Sequence, residues 1–344
     1  MRALYFEEHG GLEQLRLGER PDPKVGEGEV LIRLQAAALN HLDLFVLRGL
    51  PGVPIPLPHI GGADGAGVVV EVGPGVQTPK VGDEVVFNPG IWCGACEFCR
   101  KGEHSLCVKY GIIGEHTDGT FAELVKVKAE ACFPKPSHLS WEEAAAFPLT
   151  FLTAWRMLFT RAKLQAGETV LIHGIGGGVA QAATILARHA EAAVIVTSSD
   201  DAKLERAKEL GAQITINYSR EDVVRRVREI TGKKGVDVVV ETVGKATWMA
   251  SLRSVAKGGR IVTCGATTGP DPSEEIRLIF WNQLSILGST MGSQREFADM
   301  LAVVNQRKLK PLVDKVFPLT EGAEAYRYLA EGKQFGKVVV DVQA

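Results

Sequence analysis

The chain lacks the features that mark a membrane protein or a nucleic-acid-binding protein. No uninterrupted apolar run approaches the roughly 20 residues of a membrane-spanning helix. The opening residues, MRALYFEEHGG, include no apolar core typical of a signal peptide. The 39 basic residues nearly balance the 41 acidic ones, so no nucleic acid or anionic membrane is expected as a partner. We therefore expect a cytoplasmic protein without repeats, and 344 residues suggest two domains.

Cysteine is scarce, and four of the six cysteines fall within one short stretch. Cys93, Cys96, Cys99 and Cys107 have the spacing C-x2-C-x2-C-x7-C, which in a reducing compartment indicates a metal rather than disulfides. Four thiolates can close a tetrahedron around zinc and leave no position for water. The sequence thus predicts one structural Zn²⁺, for which His104 in the same loop offers an alternative ligand.

A glycine-rich turn between a strand and a helix is the strongest signal in the chain. The apolar run Thr169–Ile172 has the length of a buried parallel strand. Glycines let a backbone approach a pyrophosphate, and free N–H groups at a helix start receive its charge. We therefore predict that this turn binds a dinucleotide through Gly174, Gly176, Gly177, Gly178 and Val179.

Alternating apolar runs and helical patterns continue after this turn and predict a doubly wound parallel sheet. The first third of the chain instead reads as β-structure rich in proline and glycine, including a strand over Leu12–Leu17. The last 51 residues could return to this first domain. We predict one domain formed by residues 1–150 with 294–344, and a dinucleotide-binding domain over 151–293.

Several motifs together resemble the medium-chain dehydrogenase/reductase superfamily, which includes zinc alcohol dehydrogenases and quinone oxidoreductases. They are GADGAGVVVEVGPGV at 62–76, VGDEVV at 81–86, the four-cysteine lobe, HGIGGGVAQAA at 173–183, GVDVVVETVG at 235–244 and LGSTMGS at 287–293. The resemblance covers essentially the whole length. It implies an α/β protein with a GroES-like, partly open β-barrel domain and a Rossmann domain with a doubly wound parallel sheet.

The sequence departs from the family at the ligands of the catalytic zinc. Family alcohol dehydrogenases bind the catalytic zinc with a Cys, a His and a second Cys. By resemblance, the corresponding positions here are Asn40, Ala63 within Gly62-Ala63-Asp64, and Leu149 or Thr150. Asn, Ala and Leu cannot form a site of imidazole and thiolate ligands. In this respect the chain resembles the zinc-independent quinone oxidoreductases, which have Asn near position 40 and Asp at the place of Asp64.

A metal bound differently remains an alternative, because His41, Asp43, His59 and Asp64 lie close together in sequence. We favour hydrogen bonding for these residues, since no familiar ligand spacing appears.

Without a metal, hydride transfer still needs groups that meet charge on the substrate oxygen. The candidates are the Asn40 amide, the His41 imidazole and the Thr150 hydroxyl, and His41 could also relay a proton. The alternative is that Asn40 only bonds backbone and that His41 contacts the cofactor ribose. Together with Asp64 these residues form the predicted catalytic set.

The end of the second Rossmann strand governs the choice of cofactor. NAD-preferring enzymes place a carboxylate there, whereas this chain has Ser198 and Ser199 with Lys203 one turn into the next helix. This pattern favours NADP(H) over NAD(H), although Asp200 and Asp201 argue for NAD(H). The resemblance implies that further residues line the cofactor, namely Tyr218, Thr242, Val243, Cys264 and Gly265.

We therefore predict an NAD(P)-dependent oxidoreductase that moves hydride to or from an alcohol or carbonyl, a quinone or an activated alkene. The alternatives are an alcohol dehydrogenase with atypical metal ligands and a non-catalytic cofactor-sensing protein. Phe45, Trp92, Trp155 and Trp281 are candidates for lining a pocket for a small hydrophobic substrate, and core packing is their other reading. By analogy with the family, Leu284–Gly288 joins subunits of a homodimer or homotetramer.

Overall fold

The structure is a computed structural model that describes every residue from Met1 to Ala344. The chain divides into two compact units, one formed by Met1–Leu149 with Gly292–Ala344 and one by Thr150–Met291. None of its helices has the length and apolar character needed to cross a bilayer.

The first unit is mainly β-structure. Its N-terminal segment contains strands β1 (Arg2–Phe6), β2 (Arg16–Glu19), β3 (Glu29–Ala38), β4 (His59–Ile60), β5 (Asp64–Val72), β6 (Glu84–Phe87), β7 (Gly90–Ile91), β8 (Gly111–Ile112), β9 (Leu124–Lys128) and β10 (Cys132–Pro134), and helices α1 (His41–Arg48), α2 (Glu97–Arg100) and α3 (Trp141–Ala146). The predicted strand over Leu12–Leu17 is confirmed only at Arg16 and Leu17, which begin β2, and is wrong before them. A 3₁₀ turn occupies Leu12–Gln14, where the Glu13 carboxylate accepts a hydrogen bond from the Gly11 N–H.

The second unit alternates strands and helices. Helix α4 (Pro148–Trp155) and a π-helical turn (Arg156–Arg161) lead into it. The following elements are β11 (Thr169–Ile172), α5 (Gly178–His189), β12 (Ala193–Ser198), α6 (Asp201–Glu209), β13 (Ile214–Asn217), α7 (Val223–Ile230), β14 (Val236–Glu241), α8 (Trp248–Ser254), β15 (Val255–Thr263), α9 (Ile276–Trp281) and β16 (Ser285–Gly288). The chain then returns to the first unit through α10 (Gln294–Arg307), β17 (Val313–Pro318), α11 (Gly322–Ala330) and β18 (Lys337–Asp341).

The sheets of the first unit remain open, in agreement with the predicted GroES-like fold. The largest has the order β10-β6-β5-β3-β18-β17, with β9 also paired to β3. Strand β3 places Ala38 opposite Asp64 of β5 and opposite Val339 of β18. The end of β3 therefore lies beside the start of β5 and the start of β18, which come from distant parts of the sequence.

The second unit confirms the predicted Rossmann fold. Its six strands are all parallel and have the order β13-β12-β11-β14-β15-β16. Strands β11, β12 and β14 are largely Val, Leu and Ile, as expected for strands covered on both faces. Because all strands point the same way, their carboxyl ends share one edge, which is where doubly wound sheets bind ligands.

Candidate functional site

The four clustered cysteines of the first unit converge on one point. Their sulfur atoms all lie within 4.8 Å of one another, and the separations of Cys99 Sγ from Cys93 Sγ and Cys96 Sγ are 3.9 and 3.5 Å. A tetrahedral zinc site with bonds of about 2.3 Å requires sulfur atoms about 3.8 Å apart. The backbone N–H groups of Cys96 and Lys109 donate to the sulfurs of Cys93 and Cys107, each at 3.3 Å. The quartet therefore has the donors and geometry for a closed zinc site.

His104 has other partners than the cysteine quartet. Its Nδ1 atom accepts a hydrogen bond from the Gln294 N–H at 3.3 Å, and its ring packs against Trp92 with 4.9 Å between centroids. No histidine belongs to the group of potential metal ligands around the four sulfurs.

Helix α1 begins with a capping box that buries a carboxylate. Asn40 is the N-cap, and the Asp43 carboxylate accepts from the Asn40 N–H at 2.7 Å and from the Gly62 N–H at 2.9 Å. Burial raises the pKa of Asp43 to about 7, which the Asn40 hydrogen bond and the Lys337 charge partly oppose. Both Asp43 oxygens are thus bound to backbone.

The side chains of Asn40, Asp64 and Lys337 form a buried cluster, here called the lysine cluster. The Lys337 ammonium donates to Asn40 Oδ1 at 2.6 Å and to Asp64 Oδ2 at 2.9 Å. The Asn40 amide in turn donates to Asp64 Oδ2 at 2.9 Å, and the Leu149 N–H donates to Asp64 Oδ1 at 2.8 Å. Asp64 is fully buried and Lys337 is 4% exposed, so this ion pair is shielded from water. Lys337 was missed by the sequence analysis.

The residues at the family's catalytic-zinc positions do not fit a metal ion. Ala63 has no donor atom, Leu149 contributes only a backbone N–H, and both polar ends of Asn40 face the lysine cluster. The alternative ligand His59 bonds the Gly114 carbonyl oxygen through Nε2 at 3.0 Å. The cysteine quartet is the one set of three or more His, Cys, Asp or Glu ligands that lies within metal-binding distance.

His41 and Thr150 differ in their access to solvent. His41 begins helix α1 and is exposed, whereas Thr150 belongs to the second unit and is buried. Desolvation of the imidazole by the surrounding protein, followed by the Lys337 charge, lowers the pKa of His41. Its imidazole is therefore neutral near pH 7 and offers an N–H donor.

The glycine turn has the geometry expected of a pyrophosphate cradle. Gly174 has φ +69°, a backbone conformation that L side chains rarely adopt. Gly177 is the N-cap of α5, so the N–H groups of Gly178, Val179 and Ala180 lie in the first helical turn and have no intrahelical partner. Gly176 and Gly177 are partly exposed beside these donors. The turn thus fits the phosphates of a dinucleotide.

The carboxylates after strand β12 are already bonded within the protein. Asp200 caps helix α6 by accepting from the Ala202 N–H at 2.8 Å, and Asp201 accepts from Asn217 at 2.6 Å and from Arg220 at 2.5 Å. Ser198 lies at the end of β12 and accepts from the Asp200 N–H at 3.1 Å, while Ser199 is exposed. Both carboxylates at the strand end therefore already have partners within the protein.

The remaining predicted cofactor residues lie at the same edge of the parallel sheet. Thr242 and Val243 follow β14, and Cys264 and Gly265 follow β15. A Cβ atom on Gly265 would lie 3.2 Å from the Thr242 carbonyl oxygen, so the two loops approach closely. Burial raises the pKa of Cys264 to about 12, which makes it a neutral thiol. Tyr218 is 52% exposed just after β13, and Lys203 is on the first turn of α6.

Two of the four candidate pocket residues lie on an exposed helix end and beside the cysteine quartet. Trp281 is 74% exposed at the end of α9, and Trp92 is buried against Cys99 and Cys107 of the cysteine quartet. An apolar side chain in the sequence does not reveal whether the residue lines a pocket, lies on a surface helix or packs inside a lobe. Trp155 packs on Phe159 with 4.7 Å between ring centroids, and Phe45 is partly buried on α1.

Known proteins match this chain over nearly its whole length. Residues 26–137 match the family description "Alcohol dehydrogenase GroES-like domain", and residues 178–306 match "Zinc-binding dehydrogenase". A zinc-type alcohol dehydrogenase-like protein of Schizosaccharomyces pombe is 36% identical over 99% of each chain.

Solved structures agree with these matches. The crystal structure of an NAD-dependent alcohol dehydrogenase superimposes with a TM-score of 0.96, at 47% identity over 99% of this chain and 100% of that one. A crotonyl-CoA carboxylase/reductase in complex with NADP has a TM-score of 0.93, at 27% identity over 100% of this chain and 95% of that one. The chain therefore belongs to the medium-chain dehydrogenase/reductase superfamily and is an NAD(P)-dependent oxidoreductase.

Proposed function

We propose that this enzyme transfers hydride without a catalytic metal ion. The observation that carries the proposal is the lysine cluster, in which a buried ammonium already supplies positive charge beside Asn40 and Asp64. A divalent ion at this place would have to displace Lys337 and compete with the hydrogen bonds that Asn40 Oδ1 and Asp64 already accept. The positive charge is then supplied by the Lys337 ammonium rather than by a metal ion.

His41 is the protein group that meets the substrate oxygen in this proposal. Its neutral imidazole donates an N–H hydrogen bond, which strengthens as negative charge develops on a carbonyl or quinone oxygen. The Asn40 amide is committed to Lys337 and Asp64, so its role is to hold the start of α1 in place. Thr150 is the second candidate donor. The nicotinamide nucleotide, when bound, supplies or accepts the hydride.

The substrate class that we propose is a small hydrophobic carbonyl, quinone or activated alkene. The names of the similar proteins support both ends of this range, since one is called a crotonyl-CoA carboxylase/reductase and another an NAD-dependent alcohol dehydrogenase. Alcohol oxidation is therefore the second candidate reaction, and it uses the same donor in the reverse direction.

The test is steady-state turnover of NADPH and NADH with 1,4-benzoquinone, trans-2-hexenal and benzaldehyde, and of NADP⁺ and NAD⁺ with benzyl alcohol. We expect His41→Ala to lower kcat/KM by about 10²-fold, the usual effect of losing one such donor, while nucleotide affinity changes less. Arg48→Ala, at the exposed far end of α1, is the matched control and should leave kcat/KM unchanged. Equal kinetics for wild type and His41→Ala would refute the assignment.

We further propose that NADP(H) is preferred over NAD(H). Ser198, Ser199, Lys203 and Tyr218 supply polar and cationic groups for a 2′-phosphate, while Asp200 and Asp201 are bonded within the protein. Dissociation constants for NADPH and NADH decide this point, and we expect Lys203→Met to weaken NADPH alone. A tighter NADH complex would contradict the proposal and agree with the name of the 47% identical neighbour.

Two structural roles complete the proposal. The cysteine quartet binds one zinc ion that stabilises the lobe formed by residues 93–107. Strand β16 is an edge of the parallel sheet, and nearby Ile276, Phe280 and Trp281 are 64%, 62% and 74% exposed. An unpaired edge beside exposed apolar side chains suits a second copy of this chain, so we propose at least a homodimer joined through β16 and α9.

A further inference from the structure

A chain of buried polar side chains crosses the second unit beneath its predicted nucleotide-binding loops. Thr197, His173, Ser251 and Glu241 are each at most 1% exposed, and we call them the polar chain. His173 Nδ1 lies 3.4 Å from Thr197 Oγ1, His173 Nε2 lies 3.1 Å from Ser251 Oγ, and Ser251 Oγ lies 2.7 Å from Glu241 Oε2. None of these side chains has a role in the proposed hydride transfer.

The chemistry of each group gives the polar chain one direction. A carboxylate only accepts, so the Ser251 hydroxyl donates to Glu241 and must itself accept from His173 Nε2–H. The Nδ1 atom of the neutral ring is then an acceptor for the Thr197 hydroxyl. Thr197 Oγ1 in turn accepts from the Gly174 N–H at 3.2 Å. A continuous line of donors thus runs from the glycine turn to Glu241.

Glu241 also fixes the loop that follows its own strand. Its Oε1 atom accepts from the N–H groups of Val243 and Gly244 at 2.7 and 3.0 Å, and from the Thr247 hydroxyl at 2.8 Å. The carboxylate is fully buried and has donors from four residues. It therefore ties residues 242–247 to helix α8 and, through the polar chain, to the glycine turn.

The members of the polar chain adjoin the predicted nucleotide contacts. His173 precedes Gly174, Thr197 precedes Ser198 and Glu241 precedes Thr242, each at the carboxyl end of a different parallel strand. Apolar residues of similar size at these buried places would cost less desolvation, so a polar chain here needs a reason beyond packing. Directional hydrogen bonds specify the relative positions of three loops, which apolar contacts do not.

We propose that the polar chain is a positioning device for the nucleotide, holding the glycine turn, the end of β12 and the 242–247 loop in the arrangement that binds it. The proposal rests on the nucleotide binding of the family and is independent of the metal-free mechanism. Its residues are positioning residues, since none of them is assigned a contact with the nucleotide. Burial lowers the pKa of His173, which agrees with the neutral ring that the donor direction requires.

Helix α8 offers a matched pair of serines for the test. Ser251 and Ser254 are both fully buried on this helix, but Ser254 Oγ has no hydrogen-bond partner. We expect Ser251→Ala to raise the dissociation constants for NADPH and NADH about 10-fold, measured by quenching of protein fluorescence, and Ser254→Ala to change them less than 2-fold. Unchanged dissociation constants in Ser251→Ala, or equal weakening in both variants, would overturn the proposal.

A second control separates positioning from general loss of stability. Thr231 Oγ1 accepts from the Gly235 N–H and donates to the Val227 carbonyl, both at 2.8 Å, at the opposite end of β14. Thr231→Ala therefore removes two hydrogen bonds from the same unit away from the loops, and nucleotide affinity should not change. If Thr231→Ala weakens the nucleotide as much as Ser251→Ala does at a similar melting temperature, the effect is structural and the proposal fails.

His173 supplies readouts that need no substrate. Gln can still donate to Ser251, so His173→Gln should keep nucleotide affinity within about 3-fold of wild type while His173→Ala loses about 10-fold. The ¹⁵N chemical shifts of the wild-type ring should report the Nε2–H tautomer. An Nδ1–H tautomer would contradict the donor direction, and equal affinities of the two variants would contradict the positioning role.

Discussion

Removing Lys337 should destabilise the first unit far more than removing an exposed lysine. Lys337→Met leaves the fully buried Asp64 carboxylate without its cation, and breaking a buried ion pair in this way typically costs about 3–5 kcal/mol. At about 2–4 °C per kcal/mol for a domain of this size, the first unit should melt roughly 6–20 °C lower. The double variant Asp64→Asn/Lys337→Met removes both charges, and Asn can still accept from the Leu149 N–H. We expect it to lie within about 2 kcal/mol of wild type.

Hydrogen exchange of the β18 amides, followed by mass spectrometry in a urea series, measures the free energy of opening in the first unit alone. The control pair Glu331→Gln/Lys333→Met removes an exposed ion pair close to β18, which should contribute less than about 1 kcal/mol. Two results would refute the reasoning. One is a Lys337→Met variant within 1 kcal/mol of wild type. The other is a double variant whose loss of stability equals the sum of the losses measured for Asp64→Asn and Lys337→Met alone, because the pair would then have no coupling energy.

The other predictions concern pH, the zinc lobe and assembly. Burial depresses the pKa of His173, so its contribution to stability should be fully present above the unfolded-state pKa of about 6.5 and be lost as pH falls. Melting temperatures measured from pH 8 to 5 should show this loss. In His173→Gln the melting temperature should depend less on pH. Cys96→Ser should lose the zinc ion and raise hydrogen exchange over residues 93–107, whereas Cys132→Ser, outside the quartet, should do neither. Trp281→Asp should shift the sedimentation coefficient to that of a monomer if α9 lies in the subunit contact; unchanged sedimentation of a dimer would place the contact elsewhere.

Local patterns were sufficient to predict the Rossmann unit. The strand–glycine–helix signal at Thr169–Val179 and the apolar runs that follow are contiguous, so periodicity alone gave the order of elements. The four cysteines lie within 15 residues, and their spacing already implied the quartet that the structure forms. Both signals work because the residues that act together are also close in sequence.

The lysine cluster could not be predicted because its members meet only through the sheet. Lys337 reaches Asp64 across 273 residues, since β18 pairs with β3 and β3 pairs with β5. In sequence it is one lysine before the run Val338–Val340, which reads as the solvent-exposed start of a strand. Glu241 and His173 gave a weak signal, as each is a polar residue at the carboxyl end of an apolar strand, but only the structure shows that Ser251 joins them.

The wrong part of the strand prediction has a local cause. The apolar residues between Leu12 and Leu17 suggested a strand, but the Glu13 side chain bonds the Gly11 N–H and stabilises a tight turn instead.

In the proposed mechanism Lys337 is the resident cation of the active site, and zinc has only a structural role. Metal content per chain, measured by mass spectrometry on enzyme of known specific activity before and after brief dialysis against a chelator, tests it most directly. We predict one zinc per chain. Removal of any second, weakly bound metal should leave the activity unchanged. Two metal ions per chain, with activity that falls and returns in proportion to the second, would show that the enzyme uses a catalytic metal.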